Sequence, residues 1–189
     1  MTDLLQEQTV LVNEQDQEVG MALKATLHTA DTPLHRGFSL YLFTRQGEFL
    51  LQQRKKEKKT WGGFWSNSCC GHPGPGEGRE QAIQRRTRQE LGLSPKCVEK
   101  IADYRYRFEH NGVVENEVCP VFVGIAESKD LRLDKNEIEA VRWMPWSGFL
   151  KEIQERRDVY SPWSQEQAKI LASSPRFHEW LSKHGIKLA

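Results

Sequence analysis

The sequence predicts one domain of the α+β (mixed α/β) class. Three observations carry that expectation. The secondary-structure signals run in the order β-rich block, helix, β-rich block, helices. The 189 residues are enough for one core, and no internal repeat, low-complexity segment or linker divides them. Six tryptophans and eight phenylalanines bring large side chains to a chain that is only 38% apolar.

Each element can be justified in order. Residues 8–12 (QTVLV) read as a first strand, followed by a polar turn around Glu14–Glu18. FSLYLFT (38–44) and EFLLQQR (48–54) are β-rich runs, and RQG between them predicts a hairpin turn. KKEKKT (55–60) reads as a basic loop. A Gly/Pro-rich stretch, NSCCGHPGPGEG (67–78), then leads into REQAIQRRTRQELG (79–92). That segment has no helix breaker before Gly92. Ala82, Ile83, Thr87 and Leu91 form a narrow stripe at helical spacing, so a helix is predicted with Gly92 as its C-terminal cap. CVEKIADYRYRFE (97–109) and VVENEVCPVFVGIA (113–126) are predicted as two strands joined by an HNG turn. EIEAVRWMPW (137–146) predicts one more strand, ending at Pro145. Helical patterns over 147–156, 164–173 and 175–184 follow, with SPW (161–163) ahead of the second.

Bulk properties narrow the function classes. Charged residues make up 28% of the chain, but their signs nearly cancel to a net charge of +1. A bulk nucleic-acid binder needs a basic excess, so no nucleic-acid partner is expected. No apolar run approaches the roughly 20 residues that cross a bilayer, and no membrane partner is expected. The N-terminal stretch has early acids and no basic region, unlike a signal peptide. These readings predict a cytoplasmic protein whose four cysteines, 69, 70, 97 and 119, stay reduced. Cys69 and Cys70 are adjacent, and neighbours seldom meet disulfide geometry.

The histidines are the first chemical signal. His28 and His35 are too far apart for one helical turn, but a loop can bring both inward. His72 stands two residues after Cys70. Glu115 and Glu117, two apart in a predicted strand, point to one face. On an exposed edge, Arg105 and Arg107 would balance them. On a half-buried strand they repel each other and lose hydration, and a cation would hold them together. Three histidines and two carboxylates form a mixed N/O set that suits an octahedral ion better than a four-coordinate structural zinc.

The helix and its lead-in carry the second signal. They resemble the Nudix box, G-x5-E-x7-R-E-U-x-E-E-x-G-U, where U is a bulky aliphatic residue. Gly71, Glu77, Arg85, Glu90, Gly92 and Leu93 stand in register. Arg86, Thr87 and Gln89 replace a glutamate, an aliphatic residue and a second glutamate. A Nudix hydrolase needs clustered carboxylates to gather divalent ions and activate water, so hydrolysis is disfavoured while diphosphate binding is not. Glu90 survives to hold one Mg²⁺ through water and phosphate oxygens. Lys24, Arg54, Lys58, Lys59 and Arg86 lie near these elements in sequence. Singly each reads as a solvated charge; together they suit a diphosphate.

Six blocks in one order then resemble a known family: HTADTPLHRGFSLYLF, WGGFWSNSCCGHP, RRTRQELG, YRYR, ENEVCPVF and SPW. The family is that of the type I isopentenyl-diphosphate isomerases, and the similarity runs from about residue 8 to about 165. The resemblance implies a Nudix-type fold, a mixed β-sheet flanked by helices; beyond it, the helical patterns predict a C-terminal helical extension over about 166–189 of a single domain 1–189. It implies interconversion of isopentenyl and dimethylallyl diphosphate by a 1,3-proton shift through a tertiary carbocation. His28, His35, His72, Glu115 and Glu117 match the family's metal-binding positions. Cys70, not Cys69, matches the catalytic cysteine; Glu117 matches the catalytic glutamate and Tyr106 the tyrosine beside it. Glu90 matches the carboxylate associated with the substrate-bound Mg²⁺. Lys24, Arg54, Lys58 and Arg86 match positions near the diphosphate, and Trp163 the tryptophan facing the isoprenoid tail. The implied cofactors are one divalent metal at the His/Glu site (Mn²⁺, Zn²⁺ or Mg²⁺) and a Mg²⁺ carried with the substrate diphosphate.

These residue types suit that reaction. An alkene is a poor base, so a strong acid must stand against its terminal carbon with water excluded. Glu117, coupled to Tyr106 and the ion, is expected to deliver that proton, and Cys70 as thiolate to take one from C2. A free thiol titrates near 8.5, and neighbouring cations are expected to lower it. Trp163 can stabilise the cation through its π face, with Trp61 more suited to packing. The alternatives are a Nudix-type diphosphate hydrolase and a non-catalytic metal-binding module. A monomer or weak homo-oligomer is expected.

Overall fold

The computed structural model describes residues 7–188. Residues 1–6, part of the stretch read above for a leader, and Ala189 lie outside the described residues. Two mixed sheets form. The first runs in the order β2 (Glu18–Leu23), β1 (Gln8–Val12), β3 (His35–Arg36), β10 (Val113–Val118), β9 (Arg105–His110). The second runs β12 (Ile138–Pro145), β5 (Glu48–Arg54), β4 (Phe38–Phe43), β11 (Val121–Ile125), β8 (Lys96–Ala102). Two short strands, β6 (Trp65–Ser66) and β7 (Cys69–Gly71), pair with β5 and β4. Helix α1 (Lys24–Leu27) is a single turn; α2 (Arg79–Leu91), α3 (Trp146–Glu155), α4 (Pro162–Ser173) and α5 (Pro175–Lys183) are the longer ones.

The two long strands expected over 97–109 and 113–126 are each broken. The chain leaves the second sheet after β8 and enters the first at β9; it leaves the first after β10 and enters the second at β11. The β3–β4 segment makes the same crossing at Gly37, beside the other two. Pro120, with no N–H, cannot continue a ladder through the crossing. Backbone bonds close the junction instead: Gly37 N to Val118 O (2.9 Å), Cys119 N to Tyr104 O (2.8 Å) and Ser39 N to Pro120 O (3.1 Å). Tyr104 and Tyr106 continue the β-rich composition past Asp103, and Cys119 and Val121 continue it past Pro120, so local periodicity does not register the breaks.

The second sheet is covered on both faces, which is why FSLYLF reads as a continuous buried run. Phe38, Leu40 and Leu42 turn to one face with Cys69, Ala82, Ile83 and Leu91. Tyr41 and Phe43 turn to the other with Phe49, Trp146, Phe149, Phe177 and Trp180. Full burial of such a side chain stabilises by roughly 1.5–3 kcal/mol. Phe177 and Trp180 belong to α5, so the C-terminal helix packs into this core. Helix α2 has the expected apolar stripe. Gly92 caps it with φ 71°, its N–H reaching Arg88 O at 3.1 Å. Arg86 and Glu90 on the same helix are buried too, a polar burial that the stripe alone does not explain.

Candidate active site

The crossing between the sheets builds the site. In β10, Glu117 lies directly opposite His35 of β3 in a parallel pair, and opposite Tyr106 of β9 in an antiparallel one. Glu115, two residues earlier, shares its face. His28 follows α1, and His72 follows β7. The potential ligand atoms of His28, His35, His72, Glu115 and Glu117 all lie within 4.8 Å of one another. Glu115 and Glu117 are 4% and 5% exposed. The exposed-edge reading fails, because Arg105 turns away to Glu14 (2.8 Å).

The cluster is short of positive charge. His28 Nε2 meets Glu115 Oε2 at 3.1 Å, and His72 Nε2 meets Glu117 Oε1 at 3.2 Å. His35 Nδ1 donates to Pro33 O at 2.9 Å, since a carbonyl can only accept. Its Nε2 has no hydrogen-bond partner, yet it faces Glu117 Oε1 at 3.6 Å. A ring lone pair facing a carboxylate oxygen needs a cation between them, a proton or a metal. Burial pulls His35 down, but Glu117 and the Pro33 carbonyl outweigh it and leave its pKa raised. Burial drops His72 to about 4. Burial would raise Glu117, yet His72 and His35 hold it well below the usual carboxylate range. The donor set, three imidazoles and two carboxylates, therefore fits a divalent ion, and the Nδ1–H to Pro33 fixes one ligand's tautomer for it.

A cavity of about 310 Å³ opens from this cluster. Cys70, Tyr106, Trp163, Lys24, Arg54, Lys58 and Arg86 all line it together with His28, His72, Glu115 and Glu117. Lys59 lines it as well, while His35, fully buried, stands behind. Strand alternation separates the two adjacent cysteines: Cys69 enters the apolar cluster under α2, and Cys70 turns to the cavity. Cys70 Sγ donates to Asn67 Oδ1 at 3.1 Å and lies 3.6 Å from Ser39 Oγ. The expected lowering of the Cys70 thiol does not occur. Burial pushes it up to about 11, against smaller opposing effects of Ser39, Arg54 and Asn67, so it rests as a thiol. Burial likewise keeps the Tyr106 phenol protonated, its pKa well above the ordinary value.

Aromatic rings wall the middle of the cavity. Tyr106 stacks on Trp163 with centroids 5.6 Å apart, and Trp61 meets Trp163 edge-on at 5.2 Å. Trp163 Nε1 donates to Ser66 Oγ (3.0 Å) and Asn67 Oδ1 (3.2 Å), which locks the indole plane. The Arg54 guanidinium lies over the same ring at 5.5 Å. At the far end Lys24 pairs with Glu7 (2.8 Å), Arg86 with Glu90 (2.5 Å) and Glu137 (3.1 Å), and Lys58 with Glu137. Glu90 is not brought to the histidine cluster. Its second oxygen accepts from Gln52 Nε2 at 3.2 Å, and it borders a small recess that also touches Cys70 and Glu137. Asn67, Ser39, Glu7 and Glu137 are the residues that sequence reasoning missed. Asn67, at the head of the Gly/Pro-rich stretch, and Ser39, inside HTADTPLHRGFSLYLF, stood within recognised blocks; Glu7 and Glu137 did not.

Residues 33–164 match the NUDIX domain family. A crystal structure from Deinococcus radiodurans superposes with a TM-score of 0.69 at 20% identity, covering 87% of this chain and 98% of that one. A MutT protein from Methanosarcina mazei superposes with a TM-score of 0.56 at 18% identity, covering 80% and 95%. The fold is thus that of the Nudix proteins, here with histidines and a cysteine at the cavity and two box carboxylates gone. A protein from Saccharopolyspora erythraea, 42% identical over 92% of this chain and 91% of its own length, is named isopentenyl-diphosphate Delta-isomerase. So is one from Mycolicibacterium vanbaalenii, 43% identical over 87% of this chain and 91% of its own. Within the Nudix fold, the chain belongs to the isopentenyl-diphosphate Delta-isomerase family.

Proposed function

We propose that the protein is an isomerase that interconverts isopentenyl diphosphate and dimethylallyl diphosphate in isoprenoid biosynthesis. One observation carries the reading at the level of chemistry. A thiol and a carboxylate, Cys70 and Glu117, line one aromatic-walled cavity together with five cations. The cations grip a diphosphate remote from the bonds that change, and that binding positions a tail with few handles of its own.

In the forward direction the Glu117 carboxyl, beside Tyr106, gives a proton to the terminal methylene carbon. The double bond's electrons form the new C–H bond and leave a tertiary cation. Trp163 faces this cation and stabilises it by roughly 0.5–2 kcal/mol. Cys70 takes a proton from C2, and that C–H pair becomes the new double bond. The turn ends with a Cys70 thiol and a Glu117 carboxylate. This is the state favoured in the ligand-free protein, so before another forward turn Cys70 must lose its proton and Glu117 must gain one. The reverse reaction starts from that state directly. His28, His35, His72, Glu115 and Glu117 would hold a divalent ion, Mn²⁺, Zn²⁺ or Mg²⁺, which supplies the positive charge that makes the Glu117 carboxyl a stronger acid. Glu90 would meet the Mg²⁺ carried by the diphosphate, after parting from Arg86. We further read the protein as cytoplasmic, monomeric or weakly homo-oligomeric, and without a nucleic-acid partner; among the described residues no helix is long and apolar enough to cross a membrane.

Incubation with isopentenyl diphosphate in D₂O, followed by NMR, tests the reading. Deuterated dimethylallyl diphosphate is expected, lost on chelation and restored by divalent metal. Phosphate release without an allylic product would establish the hydrolase alternative instead. That alternative is disfavoured because Arg86 stands in place of a box glutamate and neutralises Glu90.

A further inference from the structure

The end of the cavity that the cations build is already occupied by the protein's own carboxylates, and one of them differs from the others. Glu90 is 3% exposed and is held on its second oxygen by Gln52. Glu7 meets Lys24 with one oxygen and Arg85 with the other (3.4 Å). Glu137 spends both oxygens on the cavity cations: Oε2 on Lys58 and Oε1 on Arg86 at 3.1 Å. It therefore sits on two of the five cations that line the cavity.

The backbone there is fixed by hydrogen bonds, while the side chain is held by its two ion pairs alone. Glu137 N donates to Asp134 O (3.1 Å), and Glu137 O accepts from Lys55 N (2.9 Å), pinning the start of β12. The carboxylate stands at the cavity wall with 17% of the side chain exposed. It can swing outward about its own side-chain torsions without moving the strand. Its charge is permanent in the working range. Burial would raise its pKa, but Lys58 and Arg86 bring it down to about 2.

We propose that Glu137 is a positioning residue that acts as a displaceable internal counter-ion. It holds Lys58 and Arg86 in place when the cavity is empty, gives them up to the incoming diphosphate, and competes for them again when product forms. The inference rests on the isomerase reading for its consequence. Substrate and product carry the same diphosphate, so a site that gripped this group without competition would release product slowly. A carboxylate tethered beside the same donors competes at high effective concentration and shortens that residence.

The test uses the full-length, metal-loaded protein, with inorganic pyrophosphate as the probe in calorimetric titrations. Glu137→Gln keeps the shape and removes the charge. It is expected to bind pyrophosphate at least tenfold more tightly than the parent. KM for isopentenyl diphosphate and kcat are expected to fall together, with a pre-steady-state burst of product that the parent lacks. Glu137→Asp keeps the charge on a shorter arm and is expected to give an intermediate tightening of about two- to fivefold; it also serves if the glutamine variant does not fold. Pyrophosphate affinity that is unchanged or weaker in either variant overturns the inference, because a carboxylate that merely props Lys58 and Arg86 moves affinity in that direction. If the parent yields no allylic product, the isomerase reading falls and the product-release role with it; the pyrophosphate titration still decides whether Glu137 is a counter-ion.

Discussion

Gly37→Ala isolates how closely the fold presses Glu117 against the sheet crossing. A Cβ built at Gly37 would lie 2.0 Å from Glu117 Oε2 and 3.4 Å from Cys119 Sγ. Real Cβ atoms stay at least 3.0 Å from such neighbours, so the carboxylate must move by about 1 Å. That shift pulls against its partners, because its other oxygen is held by His72 at 3.2 Å and faces His35 at 3.6 Å. Gly37 has no positive φ, so alanine brings no backbone strain and the effect is steric alone. Overpacking of this kind costs roughly 1–3 kcal/mol of stability. Displacing one donor of a metal site lowers affinity by about 10–100-fold, and a 1 Å shift of a reacting group costs about 100-fold in rate. The assays are metal content after competition with a graded chelator, product formation, and thermal unfolding. A Gly37→Ala protein with parental metal affinity and turnover would refute the claim that this contact sets the position of Glu117.

Other perturbations follow from the same geometry. Cys70→Ala is expected to lower product formation by at least about 1,000-fold with the circular dichroism spectrum unchanged. Cys69→Ala is expected to keep turnover within about threefold and to lose roughly 1 kcal/mol of stability from the cluster under α2, measured by urea unfolding. Trp163→Phe keeps a ring beside Tyr106 but loses the Nε1 bonds to Ser66 and Asn67; kcat is expected to fall by about 3–30-fold with KM little changed. For pH, Glu137 has its folded pKa lowered to about 2 from the ordinary 4.5. Its ion pairs thus stabilise the fold fully above about pH 4.5, and that contribution is lost as pH falls toward 2. The amount is at most about 3 kcal/mol. Unfolding of the chelated protein in this window is expected to be steeper for the parent than for Glu137→Gln, and equal slopes would remove Glu137 from the acid transition.

Much of the site was legible because its chemistry is local in sequence. Cys70, Gly71 and His72 stand in one stretch, and the Glu-x-Glu spacing of Glu115 and Glu117 needs only a strand to put both on one face. Helix α2 was legible for the same reason: its stripe and its Gly92 cap lie within 14 consecutive residues. Short β3, β6 and β7 were not legible, since two or three residues carry no periodicity; they exist because longer neighbours offer them a ladder. Glu137 was not legible either. A lone glutamate at the start of a strand looks like surface charge until Lys58 and Arg86 arrive from other parts of the chain.

The sequence alone determined the class of the fold, the main elements and the loss of the box carboxylates, because each depends on residue types at short spacing; that His28, His35 and His72 belong with Glu115 and Glu117 was an expectation from the family resemblance. The tertiary structure decided three further things. It split the two long strands where β3, β10 and β9 cross beside one another, which places His35 and Tyr106 on either side of Glu117. It turned Cys70 to the cavity and Cys69 to the core. It also set the resting protonation of Cys70, because burial outweighs the cations that the sequence showed nearby. Desolvation depends on everything packed around a group, and no stretch of sequence carries that sum.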